Sequence, residues 1–252
     1  MAWQTPKTNW AAADGVRDTD FNRIEGNILE LYTADAVRSN ITIYVSTTGN
    51  DNTGLGTSAS PYRTITKALS VIPKNLNGKT VTISIAAGTY AEDVKVKHFS
   101  CGTIKFTGSS TVTMNSLEVS SCVLRVDFLS LAFTGSVGLS VNECGAFITS
   151  SGNVTTTGSS VGIAAHEGSY VYVGGGVTFN TVTTGISANS ASNVYVSDIF
   201  GSNVGTSMIA STGAQIAYGT HSATTRAITA TSTGGRINTG SQTSSPGGGS
   251  VL

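Results

Sequence analysis

The last two-thirds of the chain repeats itself. Small residues recur at intervals of 19 to 24 residues, and each introduces a similar short phrase of alternating apolar and polar positions. A repeat of this size is one supersecondary unit that cannot bury its apolar face alone, so successive units must stack on one another. The column of small residues consists of Cys101, Cys122, Cys144, Gly168, Ala191, Gly213 and Ser232.

Each repeat contains three short segments in which apolar and polar residues alternate. A period of two predicts half-buried strands, and none of the segments reaches the length of a helix. In the first segment, one repeat places its apolar pair a residue early, which predicts a bulge. The apolar pairs of the first segment are Ile104/Phe106, Leu124/Val126, Phe147/Thr149, Val171/Val173, Val194/Val196, Ile216/Tyr218 and Gly235/Ile237. The second segment contributes Val112/Met114, Phe133, Val154, Val177/Phe179 and Phe200, and the third contributes Leu117/Val119, Leu139/Val141, Ile163/Ala165, Ile186/Ala188, Met208/Ala210 and Ile228/Ala230.

Three strands per repeat predict an all-β fold, a right-handed parallel β-helix of about seven coils spaced about 4.8 Å apart. A sandwich or propeller is the alternative, but its repeats would be longer or its strands would pair as hairpins. The three cysteines lie one repeat apart. We interpret them as small buried residues, because zinc sites use closely spaced pairs and free cysteine is commonly buried.

Composition limits the partners that the chain can have. Only 11% of the residues are charged, and 14 basic residues balance 14 acidic ones. Nucleic acid is therefore not expected as a partner, since phosphate contacts need clustered cations. No apolar run is long enough to span a bilayer, and the first residues lack the pattern of a secretory signal. Phosphate-binding loops and metal-ligand clusters are missing from the sequence, so we predict no cofactor and no metal.

The sequence divides into four parts. Residues 1–40 form an amino-terminal segment for anchoring or oligomerisation, 41–77 an entry strand, loop and capping helix, 78–240 the β-helix, and 241–252 a flexible polar tail. In the first part, a helix is predicted to begin at an N-cap formed by Thr19 or Asp20. The predicted anchoring residues are Trp3 and Trp10, together with the helical apolar stripe Phe21, Ile24, Ile28 and Leu31.

The helical stripe has two interpretations. The helix packs on its own domain, or it joins identical chains through a short coiled-coil seam. In the second part of the chain, Thr64, Ile65, Ala68, Leu69 and Ile72 predict a short amphipathic helix that ends before Pro73. Such a helix would cover the first coil, which otherwise exposes an open sheet edge.

Two stretches resemble known families. The sequence YVSTTGNDNTGLGTSASPYRTITKAL, residues 44–69, resembles the entry motif of right-handed parallel β-helix proteins of the pectin-lyase-like class, with its G-x-D-x-x-G-x-G-T loop. The opening WQTPKTNW and the later DFNRIEGNILEL resemble the amino terminus of minor structural proteins of phages and prophages of Gram-positive bacteria. Together they imply a phage tail-spike, tail-fibre or collar-fibre component, and such proteins are usually trimers.

Catalysis would need carboxylates, and the repeat stacks two of them. Glu143 and Glu167 stand 24 residues apart, just before the small-residue column, with His166 beside Glu167. One coil spacing, about 5 Å, suits the carboxylate pair of a retaining glycosidase. The alternative is that both are solvated turn residues, superposed because the repeat dictates it.

The other outward feature is aromatic. We predict that Ile148, Tyr172 and Tyr195 form an exposed ladder, with Tyr170 nearby. Such a ladder could stack on sugar rings, pack on another subunit, or stabilise the sheet by ordinary cross-strand pairing.

We therefore expect a non-enzymatic structural protein of a phage virion, homotrimeric and attached to other virion proteins through its amino-terminal segment. It would be assembled in the host cytoplasm and would project from the particle, where it could contact cell-surface glycans. The alternatives are a glycan depolymerase that uses Glu143 and Glu167, and a free glycan-binding module.

Overall fold

The computed structural model is mostly β, with 53% strand and 9% helix. It describes residues 5, 15, 17–34, 36–108, 112–128, 131–143, 147–150, 153–221, 229–230 and 234–239. The described part contains two helices, α1 (Asp18–Ala34) and α2 (Ile65–Ser70).

The strands follow one another at the spacing that the repeat predicts. They are β1 (Ile41–Val45), β2 (Thr80–Ile85), β3 (Gly88–Lys97), β4 (Ser100–Gly108), β5 (Val112–Ser120), β6 (Val123–Phe128), β7 (Leu131–Phe133), β8 (Val137–Asn142), β9 (Phe147–Ser150), β10 (Val154–Thr157), β11 (Val161–Ala165), β12 (Tyr170–Val173), β13 (Val177–Asn180), β14 (Thr184–Ala188), β15 (Asn193–Ser202), β16 (Thr206–Ala210), β17 (Gln215–His221), β18 (Thr229–Ala230) and β19 (Arg236–Thr239).

All pairings between these strands are parallel and join one coil to the next, so the predicted all-β parallel β-helix is confirmed as a β-solenoid. Three stacks of strands form its faces. Sheet A contains β1, β2, β4, β6, β9, β12, β15, β17 and β19. Sheet B contains the start of β3 and β5, then β7, β10, β13 and the ends of β15 and β17. Sheet C contains the second halves of β3 and β5, then β8, β11, β14, β16 and β18.

Side chains that alternate inward from the three sheets fill the solenoid. Phe106, Phe133 and Phe179 are fully buried among Val, Ile and Leu. Room for Phe179 comes from two stacked glycines of sheet C, Gly162 and Gly185. A Cβ atom on Gly162 would stand 2.3 Å from Cε1 of Phe179, and one on Gly185 would stand 2.9 Å from its Cδ2. Protein cores are packed about as densely as organic crystals, so the Phe179 ring occupies the space that side chains at Gly162 and Gly185 would need.

The predicted capping helix is confirmed as α2. Thr64 is its N-cap, and the Oγ1 atom of Thr64 accepts a hydrogen bond from the Lys67 N–H at 3.1 Å. Ile65, Ala68 and Leu69 are buried against the first coil. The outer edge of β1 is covered by the loop that precedes α2, because the Tyr44 N–H donates to the Gly56 carbonyl at 2.9 Å. The amino-terminal edge of the stack is therefore protected, as open sheet edges must be.

The cysteine column is only partly confirmed. Cys122 is buried as predicted, but Cys101 is exposed, and Cys144 lies outside the described residues. The register pairs Ser100 with Val123, so the residue below Cys122 is Phe99 rather than Cys101. The prediction that the three cysteines are superposed was wrong at its first member, because the strand pairing shifts by one residue between Ser100 and Thr103.

Further along, the small-residue column is a column of turns. Gly168, Ala191 and Gly213 have φ of 72°, 60° and 75°, and each follows another residue with positive φ. Two successive left-handed residues make a tight corner between sheets C and A, where small residues are favoured. The last member is Gly234 rather than Ser232, because Gln215 pairs with Arg236.

Three predicted inward positions were wrong in register. Sheet A aligns Val126 and Phe128 with Ile104 and Phe106, two residues beyond the predicted Leu124/Val126 pair. It aligns Ile148 and Ser150 with Val171 and Val173, one residue beyond the predicted Phe147/Thr149 pair. In sheet B, Ile199 is buried and pairs with Val177, whereas Phe200 is 44% exposed. Since a slip of one residue moves a side chain to the opposite face of a sheet, this last error exchanges an inward residue for an outward one.

Helix α1 begins at Asp18, one residue before the earlier of the two predicted N-caps. Asp20 is not the N-cap but lies in the first turn, where its Oδ2 accepts a hydrogen bond from the Arg17 N–H at 3.1 Å. The apolar stripe of α1 faces solvent, with Phe21, Ile24 and Ile28 exposed by 57%, 46% and 61%. Within the described part of the chain, α1 has no extensive packing against a strand or against α2. The interpretation of a helix packed on its own domain is therefore wrong for these three residues.

Candidate functional site

The outer face of sheet A carries a stack of two tyrosines. Tyr172 on β12 and Tyr195 on β15 pair in register, and their ring centroids lie 5.0 Å apart with an angle of 5° between the planes. The spacing equals the distance between neighbouring strands, so the two rings follow the coil repeat. Tyr170 is 38% exposed on the same face and pairs with Asn193. The predicted alignment of Tyr172 with Tyr195 agrees with this register.

Ile148 does not belong to this stack. The register pairs Ile148 with Val171, which is buried, and it is Thr149 that pairs with Tyr172. The reason is a corner of unequal length, because Val141 pairs with Ala165 before the corner and Phe147 pairs with Tyr170 after it. The lower coil therefore uses one residue more than the upper coil to turn from sheet C into sheet A.

Polar residues border the two rings. On the coil above Tyr195, Ala217 occupies the same register position, and Gln215 is exposed two residues earlier on that strand. One coil further, Asn238 pairs with Ala217 and Arg236 pairs with Gln215, and both are exposed. The face thus offers an aromatic platform with two amide groups and one guanidinium beside it, a combination of aromatic and polar groups that is found in ligand-binding sites.

The two stacked glutamates lie at a different place, on the corner between sheets C and A. Glu143 and Glu167 both have positive φ, 49° and 55°, and both side chains are exposed. The Ser121 hydroxyl donates to Oε2 of Glu143 at 3.0 Å. His166 is partly buried, and its N–H donates to the Val141 carbonyl at 2.9 Å. The coil repeat superposes the two glutamates as predicted, but on an exposed turn, which is the ordinary setting of a solvated carboxylate.

Sequence reasoning missed a carboxylate that organises the entry loop. Asp51 Oδ1 accepts hydrogen bonds from the N–H groups of Arg63, at 2.8 Å, and Thr64, at 3.0 Å, while its Oδ2 accepts from the Thr64 hydroxyl at 2.7 Å. Burial by itself would raise the pKa of Asp51, but the hydrogen bonds from Thr64 and Arg63 and the charge of Lys67 outweigh it and lower the pKa. The signal was the Asp of the G-x-D-x-x-G-x-G-T loop.

A second carboxylate holds the other side of the same helix end. Glu92 on β3 accepts hydrogen bonds from the N–H groups of Ile65, at 3.0 Å, and Thr66, at 2.9 Å, and from the Thr66 hydroxyl at 2.7 Å. The first N–H groups of a helix have no partner inside the helix, so acidic side chains here satisfy them and complement the helix dipole. Glu92 therefore fixes the start of α2 to the first coil, and Asp51 fixes it to the entry loop.

Metal and membrane sites are not seen in the described part of the chain. No group of three or more His, Cys, Asp or Glu residues is close enough there to hold a metal ion. Neither described helix is long and apolar enough to cross a membrane.

Comparison with known proteins bears on the cap. Residues 47–99 match the model of a family described as a protein of unknown function (DUF1565). The match begins in the entry loop and runs through α2, β2 and β3, so it includes Asp51, Thr64 and Glu92. No curated protein and no solved structure matches the chain.

Proposed function

We propose that this protein is a non-enzymatic structural component of a phage particle, a fibre or spike subunit that assembles as a homotrimer. The amino-terminal segment would hold the subunits together and attach them to other virion proteins, and the solenoid would project outward. The observation that carries the proposal is the exposed apolar stripe of α1, formed by Phe21, Ile24 and Ile28. The phage context comes from the resemblance of the opening and α1 sequences to phage minor structural proteins.

The stripe needs a partner from outside its own chain. A helix of 17 residues is marginal in water unless an apolar face is packed, and Gly26 weakens this one further. Identical chains offer one another identical stripes, and apolar residues at three- and four-residue spacing form the seam of a coiled coil. Self-association through α1 therefore accounts for a helix that the solenoid leaves uncovered.

Replacing the stripe should dissociate the assembly. We expect the wild-type chain to have three times the chain mass in light scattering coupled to size-exclusion chromatography, and Ile24→Ser/Ile28→Ser to have the mass of one chain. Thr19→Ser/Asn22→Ser, on exposed polar positions of the same helix away from the stripe, is the matched control and should remain trimeric. A monomeric wild type at high concentration would contradict the proposal.

The chain should also be found in particles. Mass spectrometry of virions purified by density gradient from the source strain should detect its peptides in an amount that matches a structural subunit. Detection only in the soluble lysate would instead support a free glycan-binding module. Release of reducing ends from a polysaccharide, lost in Glu167→Gln, would replace the proposal by the depolymerase alternative.

A further inference from the structure

The tyrosine stack ends abruptly at a small residue. Tyr195 has the ring of Tyr172 on one side, whereas the next position along the coil repeat is Ala217. Coils are separated by about 4.8 Å, which is the spacing of stacked rings, so a third ring would fit where Ala217 supplies only a methyl group. Tyr195 is 37% exposed, which leaves its ring accessible from this side.

The borders of this position are polar. Gln215 lies on the same strand as Ala217, and Asn238 lies one coil above it, both exposed on the outer face. Arg236, which pairs with Gln215, is exposed on the same face and brings one positive charge to the border. Amide groups donate and accept hydrogen bonds at once, which suits a ligand that carries many hydroxyl groups. A pyranose ring has such hydroxyls at its edge and an apolar face of C–H groups that can lie on a tyrosine ring.

We propose that the Ala217 notch, formed by Tyr195, Ala217, Gln215 and Asn238, binds one pyranose ring of a glycan. The sugar continues the stack above Tyr195, and its hydroxyls exchange hydrogen bonds with the two amides. This inference rests on the proposed function, because a subunit that projects from a particle is placed to meet glycans of a cell surface.

Two other occupants fit the notch less well. A stable protein interface buries about 800 Å² on each partner, whereas the notch is one ring wide and is bordered by polar positions. A nucleic-acid base could stack on Tyr195, but phosphate binding needs clustered cations, and the chain balances 14 basic with 14 acidic residues. Arg236 at this border is a single cation and not such a cluster.

The test uses the full-length chain and three uncharged probes: cellohexaose, maltohexaose and chitohexaose. We expect saturation-transfer NMR to detect binding of at least one of them, and Tyr195→Ala to weaken that binding about tenfold by titration. Ala217→Phe should weaken it by a similar factor, since the new ring fills the notch, while thermal unfolding shows that the variant remains folded. Phe200→Ala removes an exposed aromatic residue from sheet B and should change the affinity by less than about twofold.

Binding of none of the three probes to the wild type would overturn the inference, and so would undiminished binding by Ala217→Phe. Self-association that rises with concentration and is lost in Ala217→Phe would assign the notch to a second copy of the chain instead. The Ile24→Ser/Ile28→Ser variant should bind the same probe with the affinity of the wild type per chain. Failure of the notch is thereby distinguished from failure of the α1 assembly.

Discussion

Gly201→Ala should destabilise the solenoid by about 3 kcal/mol or more, through backbone strain and a steric clash that add together. Gly201 has φ of 128°, a conformation that residues with a Cβ atom rarely adopt. A Cβ atom placed there would stand 1.8 Å from the carbonyl oxygen of Phe179 on the coil below. The clash is with backbone, so no rotation of a side chain can relieve it. Thermal unfolding followed by circular dichroism should show a midpoint lowered by about 10 °C.

Gly213→Ala is the matched control, since it introduces the same methyl group at another glycine of positive φ. Gly213 has φ of 75°, and a Cβ atom there meets nothing within 4 Å. The coil below already has Ala191 at the equivalent corner with φ of 60°. The expected cost is therefore about 1 kcal/mol, from the left-handed conformation alone. Equal losses in the two variants would show that the close approach of Gly201 to Phe179 has no energetic weight.

The sequence repeat predicted the strands of the solenoid, but it did not always predict which residue of a strand faces the core. Alternation with a period of two identified the strands of sheet C correctly, because Leu139, Ile163 and Ile186 do stack as expected. It could not predict that Ile199 rather than Phe200 turns inward. Both residues are apolar, so hydrophobicity does not decide which of them faces the core. The glycine that follows them is compatible with either residue facing inward.

The sequence did not predict correctly which residues of neighbouring coils pair wherever the number of residues in a corner differs between those coils. Tyr172 and Tyr195 could be paired from the sequence, because the corner that precedes Tyr172 and the corner that precedes Tyr195 contain the same number of residues. Ile148 could not be placed, because the corner before it contains an extra residue that composition does not reveal. The spacing of small residues marks the corners, but the number of residues within each corner is decided by backbone geometry.

The sequence predicted the helix of the entry cap, but it did not predict the hydrogen bonds that hold that helix in place. The short amphipathic helix and its end before Pro73 follow from local patterns. The hydrogen bonds that Thr64 donates to Asp51 and Thr66 donates to Glu92 span 13 and 26 residues, and no local pattern specifies such contacts. Both carboxylates lie in residues 47–99, the segment that matches the family model.

Asp51→Asn should destabilise the protein by about 2 kcal/mol, because hydrogen bonds to a charged acceptor are stronger than those to a neutral amide. The asparagine retains Oδ1, which accepts from the N–H groups of Arg63 and Thr64. In place of Oδ2 it has an NH₂ group, whereas Oδ2 of the wild type accepts a hydrogen bond from the Thr64 hydroxyl. The hydroxyl oxygen has a second lone pair that could accept from the new NH₂ group in addition to the Lys67 N–H. Its proton, however, would lose the acceptor that Oδ2 of Asp51 provides. Urea unfolding at pH 7 measures the loss. Asp18→Asn, on the exposed first turn of α1, makes the same change of charge away from the cap and should have little effect.

The effect of Asp51 should also depend on pH. Folding lowers the pKa of Asp51 below its ordinary value of 3.8, so the unfolded chain binds a proton more readily than the folded chain. The carboxylate therefore contributes its full stabilisation above pH 3.8, and the contribution disappears as the pH falls through the lower pKa of the folded state. The difference in unfolding free energy between wild type and Asp51→Asn should be constant from pH 5 to 7 and should shrink below about pH 4. A difference that stays constant down to pH 2 would show that the cap is held by the shape of the side chain and not by its charge.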